Sequence, residues 1–404
     1  MKIANQRRKF LSQLTAASAL SILNINPLKA AGIVEPVQHN EHRFLTPPYL
    51  QVLTSSGVDI VFLTSNRAYS WVEYGEDQLA QKAQEESDGF IEAYQRINVI
   101  RIRNLKPGTT YKYRIVSKEI SSFKPYELVY GKQITSEQYS FITPVEDAES
   151  VTCLVFNDIH DRPHSFKDLM AVRGEKSYDF AFLNGDMFDY QEDEQQIIDH
   201  LLLPVTAQFA SEKPFIMSRG NHETRGKFRR EFKDYFSYPT DKYYYSFKQG
   251  PVYWIILDTA EDKPDDHSVY AGIVDFDGYR REQALWLEQV VQRKEYRQAA
   301  YRVVMMHIPP FYSGDWHGTT HCREVFDPIF NDNKIDLVIS GHTHRYGVHP
   351  PSEEHSYPII IGGGPKEGNR TIIHVEANHR NLAIEMKRDD GQVVGEYAIK
   401  PANG

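Results

Sequence analysis

Cysteine is scarce in this chain, with only Cys153 and Cys322 among 404 residues. So few thiols exclude a disulfide framework, and we expect both cysteines to be free and buried.

Basic residues are also outnumbered by acidic ones: 46 Lys and Arg against 55 Asp and Glu give a formal net charge of -9. A broad nucleic-acid-binding surface needs clustered Lys and Arg, so we expect no nucleic-acid polymer as a partner. A small phosphorylated substrate remains compatible if metal ions supply local positive charge.

Long apolar runs are missing as well. After the N-terminal segment, no run approaches the roughly 18 apolar residues that cross a bilayer, so we expect no membrane span. Residues 1–31 contain the pair Arg7 and Arg8, then the apolar run LTAASALSILNI, then small residues. This order predicts a twin-arginine-type export signal. The expected location is therefore the periplasm or the exterior of a bacterial cell, with the twin-arginine export machinery as a partner.

The remaining length suits two domains. Residues 43–144 carry short alternating strands such as VDIVFLT and TYKYRIV, separated by turn residues, which predicts an all-β sandwich. The stretch LKPGTTYKY, with Tyr111, resembles the tyrosine corner of fibronectin type III domains. Residues 150–400 instead alternate apolar strands with amphipathic helices, which predicts an α/β domain. Helices are expected at SFKDLMAV, at RREFKDYF and over residues 194–209 and 279–294.

Side chains that can bind metals follow several of the α/β strands, where sites in open α/β sheets are built. Carboxylate, amide and imidazole groups suit zinc, iron or manganese, and the absence of thiolates argues against a structural zinc site. Singly, each motif is more typical of a surface turn, but together they predict a metal centre. In chain order they are DIH (Asp158, His160), GDMFD (Asp186, Asp189), GNHE (Asn221, His222, Glu223), MMH (His307) and GHTH (His342, His344).

This order of motifs resembles the calcineurin-like metallophosphoesterase superfamily. With the preceding fibronectin-like region, it resembles the purple acid phosphatases in particular. The superfamily fold is a layered β-sandwich core flanked by helices, and its cofactors are two metal ions. The resemblance implies that one ion is bound by Asp158, His160, Asp186 and His344, and the other by Asp186, Asn221, His307 and His342. Asp186 would bridge the two ions.

The chain departs from the purple acid phosphatases at two ligand positions. Those enzymes have an iron-binding Tyr where this chain has Asp189, and Gly where it has His160. We therefore expect a complete site that lacks the purple colour, and the metal identity stays open among Fe, Zn and Mn. The resemblance also implies a dyad in which the Asp189 carboxylate raises the pKa of the catalytic His222. Asp189 as a helix N-cap is the alternative.

The implied activity is hydrolysis of phosphate monoesters by a metal-bound hydroxide, with His222 protonating the leaving oxygen. The same metals would serve a phosphodiesterase or nucleotidase, and an inactive surface-binding protein is the third alternative. His317 falls where the purple acid phosphatases carry a substrate-facing histidine, although a surface-loop histidine fits equally well. Further candidates for substrate contact, each with a plain structural alternative, are Arg162, Arg219, Arg345, Trp316 and Tyr312.

Overall fold

The computed structural model describes residues 41–401, all of which lie within the unit Asn40–Gly404. The predicted export signal at residues 1–31 lies outside the described residues. Among the helices of the described part, none is long and apolar enough to cross a membrane. Cys153 and Cys322 are free and buried, as the composition predicted.

The first part of the described chain is all β, as its alternating pattern predicted. Its strands are β1 (Tyr49–Thr54), β2 (Gly57–Gly75), β3 (Gln81–Ala83), β4 (Glu86–Ser87), β5 (Phe90–Ile91), β6 (Gln95–Arg103), β7 (Thr110–Lys124), β8 (Glu127–Thr135) and β9 (Tyr139–Ile142). The first half of β2 pairs with β1 and β6, and its second half pairs with β3 and β7. The Tyr111 hydroxyl accepts a hydrogen bond from the Lys106 amide at 3.0 Å, the contact that defines a tyrosine corner.

The second part is α/β and contains two six-stranded sheets. Its strands are β10 (Ser150–Phe156), β11 (Phe180–Asn184), β12 (Phe215–Ser218), β13 (Tyr245–Gln249), β14 (Val252–Ile256), β15 (Tyr301–Met305), β16 (Leu337–Ser340), β17 (Gly347–His349), β18 (Ile359–Ile361), β19 (Thr371–Asn378), β20 (Asn381–Arg388) and β21 (Val393–Ile399). One sheet has the order β12-β11-β10-β19-β20-β21, and the other β13-β14-β15-β16-β18-β17.

Helices cover the outer faces of the two sheets. They are α1 (His164–Arg173), α2 (Glu194–Ile197), α3 (Leu203–Gln208), α4 (Phe276–Val290), α5 (Lys294–Gln298) and α6 (His317–Asp332), with a π turn (Ile198–Leu202) joining α2 to α3 and 3₁₀ turns at His222–Thr224, Lys227–Arg230, Phe232–Tyr235 and Ser268–Tyr270. Residues of both sheets, among them Phe182 and Trp254, share the core between the sheets. Helices α1 to α3 pack on the first sheet and α4 to α6 on the second. The predicted β-sandwich core flanked by helices is therefore confirmed.

Two local predictions need correction. The run RREFKDYF was expected to be helical, but it forms two 3₁₀ turns, in which the buried Phe232 and Tyr235 are three residues apart. That spacing places both rings on one side of a helix with three residues per turn. Helix α6 was not predicted at all, and it begins at His317.

The all-β region packs directly on the α/β region. Tyr49 and Leu63 belong to the same buried cluster as Phe156 and Phe215. The Tyr49 hydroxyl donates a hydrogen bond to the Tyr235 carbonyl at 2.7 Å. Because apolar cores and buried hydrogen bonds are shared, the two regions hold each other in a fixed arrangement within the unit.

Candidate metal centre

The predicted ligand residues come together at one edge of the two sheets. Strands β10, β11 and β12 run parallel, as do β14, β15 and β16, so the loops after these strands emerge on the same side. Each loop that carries a motif follows one of them. Asp158 and His160 follow β10, Asp186 and Asp189 follow β11, Asn221 and His222 follow β12, His307 follows β15, and His342 and His344 follow β16.

One group of ligand atoms comes from Asp158, His160, Asp186 and His344, all within 4.8 Å of one another. The Nε2 atoms of His160 and His344 are 3.0 Å apart. The Asp186 Oδ2 atom lies 3.5 Å from the His160 Nε2 atom. Both carboxylates are buried, and His344 is the exposed member, with 44% of its side chain accessible. This group holds the same four residues that the family resemblance implied for the first ion.

A second group comprises Asp186, His307 and His342. The His307 Nε2 atom is 3.0 Å from the Asp186 Oδ2 atom. Asn221 joins this group, because its Oδ1 atom is 2.9 Å from the His342 Nδ1 atom. Asp186 is the one residue common to both groups, which is the arrangement a bridging carboxylate needs.

The protonation pattern of His307 fits a cation at this position. Its Nδ1 atom lies 2.8 Å from the Asn184 carbonyl oxygen, which only accepts hydrogen bonds, so Nδ1 carries the proton of the neutral ring. The Nε2 lone pair then faces the Asp186 carboxylate, and two acceptors at that distance repel unless positive charge lies between them. Without an ion, a proton on Nε2 supplies that charge: burial opposes it, but the Asp186 carboxylate outweighs burial and raises the pKa of His307 to about 10. A bound cation would take the place of that proton. A histidine that binds a metal through one ring nitrogen commonly donates a hydrogen bond to a carbonyl oxygen from the other, as His307 does to Asn184.

The backbone is strained at the ligands themselves. Asp158, His160, Asp186, His342 and His344 all have positive φ, between 50° and 71°. Residues other than glycine adopt this region at a cost, and such residues cluster at functional sites, where the surrounding structure enforces them. Five of the seven predicted ligands therefore carry a conformation that is uncommon outside glycine.

Glu223 fastens two of these loops together, a role the sequence did not reveal. Its buried carboxylate accepts hydrogen bonds from the amides of Asp186 at 2.8 Å, Met187 at 2.7 Å and Gly220 at 2.6 Å. The loops also approach closely, because a Cβ atom on Gly220 would lie 2.2 Å from the Asp186 Oδ1 atom. The G-N-H-E motif thus supplies both a predicted ligand and the anchor that positions Asp186.

The predicted dyad of Asp189 and His222 differs from the observed contacts. The Asp189 carboxylate lies 2.8 Å from the His160 Nδ1 atom, so it orients a predicted ligand instead. The His222 Nδ1 atom lies 2.8 Å from the main-chain oxygen of Asp189, and the His222 Nε2 atom lies 3.0 Å from the Arg225 Nη1 atom. Burial, with the neighbouring Arg225 charge, lowers the pKa of His222, opposite to the predicted direction. Asp189 is not the N-cap of α2 either, because Asp193 takes that position.

The other candidates for substrate contact are mostly engaged within the protein. His317 begins α6, and its Nε2 atom is 2.8 Å from an Asp277 carboxylate oxygen. Arg219 pairs with Asp258 and stacks on a tyrosine ring, and Arg162 bonds to the His160 carbonyl. Tyr312 bonds to His355 and stacks on His349. Arg345 and Trp316 are exposed.

Comparison with known proteins agrees with this geometry. Residues 151–346 match the family model described as calcineurin-like phosphoesterase. Probable purple acid phosphatase 20 of Arabidopsis thaliana is 23% identical over 403 residues, covering 91% of this chain and 85% of that protein. A purple acid phosphatase of Glycine max is 25% identical over 338 residues, covering 71% and 67%.

Among solved structures, a purple acid phosphatase from yellow lupin (Lupinus luteus) seeds superimposes with a TM-score of 0.67 at 16% identity, covering 87% of this chain and 74% of that one. At this identity the likeness establishes the fold alone. Residues 151–346 are therefore similar to the calcineurin-like phosphoesterases, and the chain resembles the purple acid phosphatases, which are metal-dependent phosphoric ester hydrolases, over most of its length.

Proposed function

We propose that this chain is an exported phosphoesterase with a dinuclear metal centre that hydrolyses phosphate monoesters. The observation that carries the proposal is the pair of ligand groups that share Asp186. A two-metal site needs such a shared carboxylate, and Asn221 supplies an amide oxygen to the second group.

The chain's own residues then have defined tasks. Asp158, His160, Asp186 and His344 would hold the first ion, and Asp186, Asn221, His307 and His342 would hold the second. When bound, two such ions make hydroxide available near neutral pH and offset the negative charge of the phosphoryl group. Glu223 and Asp189 fix the loop of Asp186 and the ring of His160.

His222 is the proposed catalytic acid. Its Nδ1 atom donates to the Asp189 carbonyl, so Nε2 is the atom that can give a proton to the leaving oxygen. To do so, Nε2 has to take up a proton, which makes the ring an imidazolium, and exchange its contact with Arg225 for one with the substrate. The proposal gives His317 a secondary part at the substrate side, where its bond to Asp277 leaves only its Nδ1 atom for a ligand.

We assign residues 43–144 to a fibronectin type III-like domain, supported by the bond between Tyr111 and Lys106, and residues 150–400 to the catalytic domain. Export through the twin-arginine route is supported by Arg7 and Arg8 in the sequence.

The test compares a nitrophenyl phosphate monoester with its diester, using wild-type protein and His222→Ala, with metal content measured in each. We expect monoester hydrolysis by the wild type, and a fall in kcat of about 100- to 10,000-fold in His222→Ala at unchanged metal content. His379→Ala is the matched control, because His379 is exposed on the turn between β19 and β20. Fully metallated wild type that cleaves neither ester contradicts the proposal, and preference for the diester favours the phosphodiesterase alternative.

A further inference from the structure

Arg225 is a charged side chain at the candidate centre that the motifs did not single out. It follows the G-N-H-E motif and the short 3₁₀ turn His222–Thr224. Its Nε and Nη2 atoms donate to the two oxygens of Glu261, at 2.9 and 2.7 Å. Glu261 is fully buried and lies in the loop after β14, at the same sheet edge as the ligands. This pair of hydrogen bonds from one guanidinium group to one carboxylate, here called the fork, fixes the plane of the guanidinium group.

The fork leaves one nitrogen of Arg225 directed away from Glu261. This atom, Nη1, lies 3.0 Å from the His222 Nε2 atom. A guanidinium group has five N–H bonds, two of them on Nη1, and His222 can accept only one. Among the described residues, Nη1 has no other hydrogen-bond partner. Arg225 therefore presents a fixed positive charge and a free N–H beside the proposed acid.

Nη1 lies one side chain away from the metal centre. The ring of His222, which Nη1 contacts, lies 4.6 Å from the ring of His160. Burial lowers the pKa of Arg225, but the Glu261 contacts and the charges of Asp262 and Asp186 outweigh burial and raise it above its ordinary value. A phosphoryl group held by the ions would therefore lie within reach of Nη1.

We infer that Arg225 binds a non-bridging phosphoryl oxygen and selects for the dianion of a monoester over the monoanion of a diester. This inference rests on the proposed function. A monoester carries a second negative charge and three non-bridging oxygens, whereas a diester carries one charge and two such oxygens. Two metal ions and His222 serve both substrates, so a further fixed cation favours the more highly charged one.

The experiment measures kcat/KM for the nitrophenyl monoester and diester with wild type, Arg225→Gln, Arg225→Lys and Glu261→Gln. For Arg225→Gln we expect a fall of about 10- to 100-fold on the monoester and less than about 3-fold on the diester. Arg225→Lys restores the charge without the fork and recovers part of the loss. Glu261→Gln loosens the fork and shifts the ratio in the same direction. Arg230→Gln is the matched control, because Arg230 is exposed on the same segment.

Inorganic phosphate, titrated calorimetrically into metal-loaded protein, gives a readout independent of turnover. We expect Arg225→Gln to weaken phosphate binding about 10-fold or more at equal metal content. An equal fall on both esters, or an unchanged ratio with unchanged phosphate affinity, overturns the inference while leaving the proposed function intact. Wild type that is inactive on both esters would instead refute the proposed function. If Arg225→Gln fails to fold, Arg225→Lys and Glu261→Gln still decide the question.

Discussion

At the scale of single residues, Asp189 shows how one contact changes a role. Its carboxylate is hydrogen-bonded to the Nδ1 atom of His160 and not to His222. Asp189 therefore orients a proposed ligand and makes that ligand more basic. The same side chain is 44% exposed, which leaves room for a substitution without overpacking. The effect of changing it therefore reports on the first ion and not on the acid.

We expect Asp189→Asn to weaken metal binding at the first site by about 10- to 100-fold, as losses of such supporting contacts typically do. Titration with Zn²⁺, followed by elemental analysis after dialysis, measures this. Asp199→Asn is the control, because Asp199 is exposed on the π turn. A variant that keeps its full metal content but loses turnover would instead support the predicted dyad with His222.

The sequence pointed to the candidate ligands that lie together in the structure, but not to the side chains that support them. Each ligand follows an apolar strand, so residue type and position together point to one sheet edge. Glu223 and Arg225 act through contacts with loops distant in the chain, and Glu261 lies in a loop without any motif. Such partners depend on the exact approach of the loops, which no spacing in the sequence encodes.

At the scale of elements, α6 is a helix that packing stabilises although its local sequence does not favour a helix. Its sequence, HGTTHCREVFDPIFND, contains Gly318, two threonines and Pro328, which are poor helix formers. The helix is kept because Cys322, Phe326 and Phe330 recur every four residues and are buried on the second sheet. Tertiary packing outweighs local propensity here, and a prediction from propensity misses the helix.

The corner at Tyr111 is an element whose stability can be measured. The hydroxyl accepts the Lys106 amide, and the ring is 3% exposed within the core of the all-β region. We expect Tyr111→Phe to lower the free energy of unfolding by about 1–2 kcal/mol, because one hydrogen bond is lost and the ring is kept. Denaturant unfolding of the metal-loaded protein measures this. The control is Tyr139→Phe, which removes a hydroxyl that contacts the exposed Glu137 and should lower the free energy of unfolding by less than about 0.5 kcal/mol. Equal losses in the two variants would contradict the assignment of a tyrosine corner.

At the scale of the whole molecule, the all-β and α/β regions depend on each other. The Tyr113 hydroxyl donates to the Ser211 carbonyl at 2.7 Å, and both residues are buried. The Leu50 amide donates to the Ala210 carbonyl at 2.9 Å. Separation of the regions would leave these groups without partners and expose apolar surface, which makes an intermediate with one region folded unfavourable.

The described residues should therefore unfold in one step that metal ions shift as a whole. A ligand that binds only the folded state stabilises it by about 2.7 kcal/mol at 100 times its Kd, and that stabilisation reaches every region that unfolds together. Calorimetry of chelator-treated and metal-loaded protein should each show one transition, at a higher Tm with metal. The ratio of calorimetric to van't Hoff enthalpy should be close to unity. Two transitions, of which only one moves with metal, would show that the two regions are energetically independent despite their shared core.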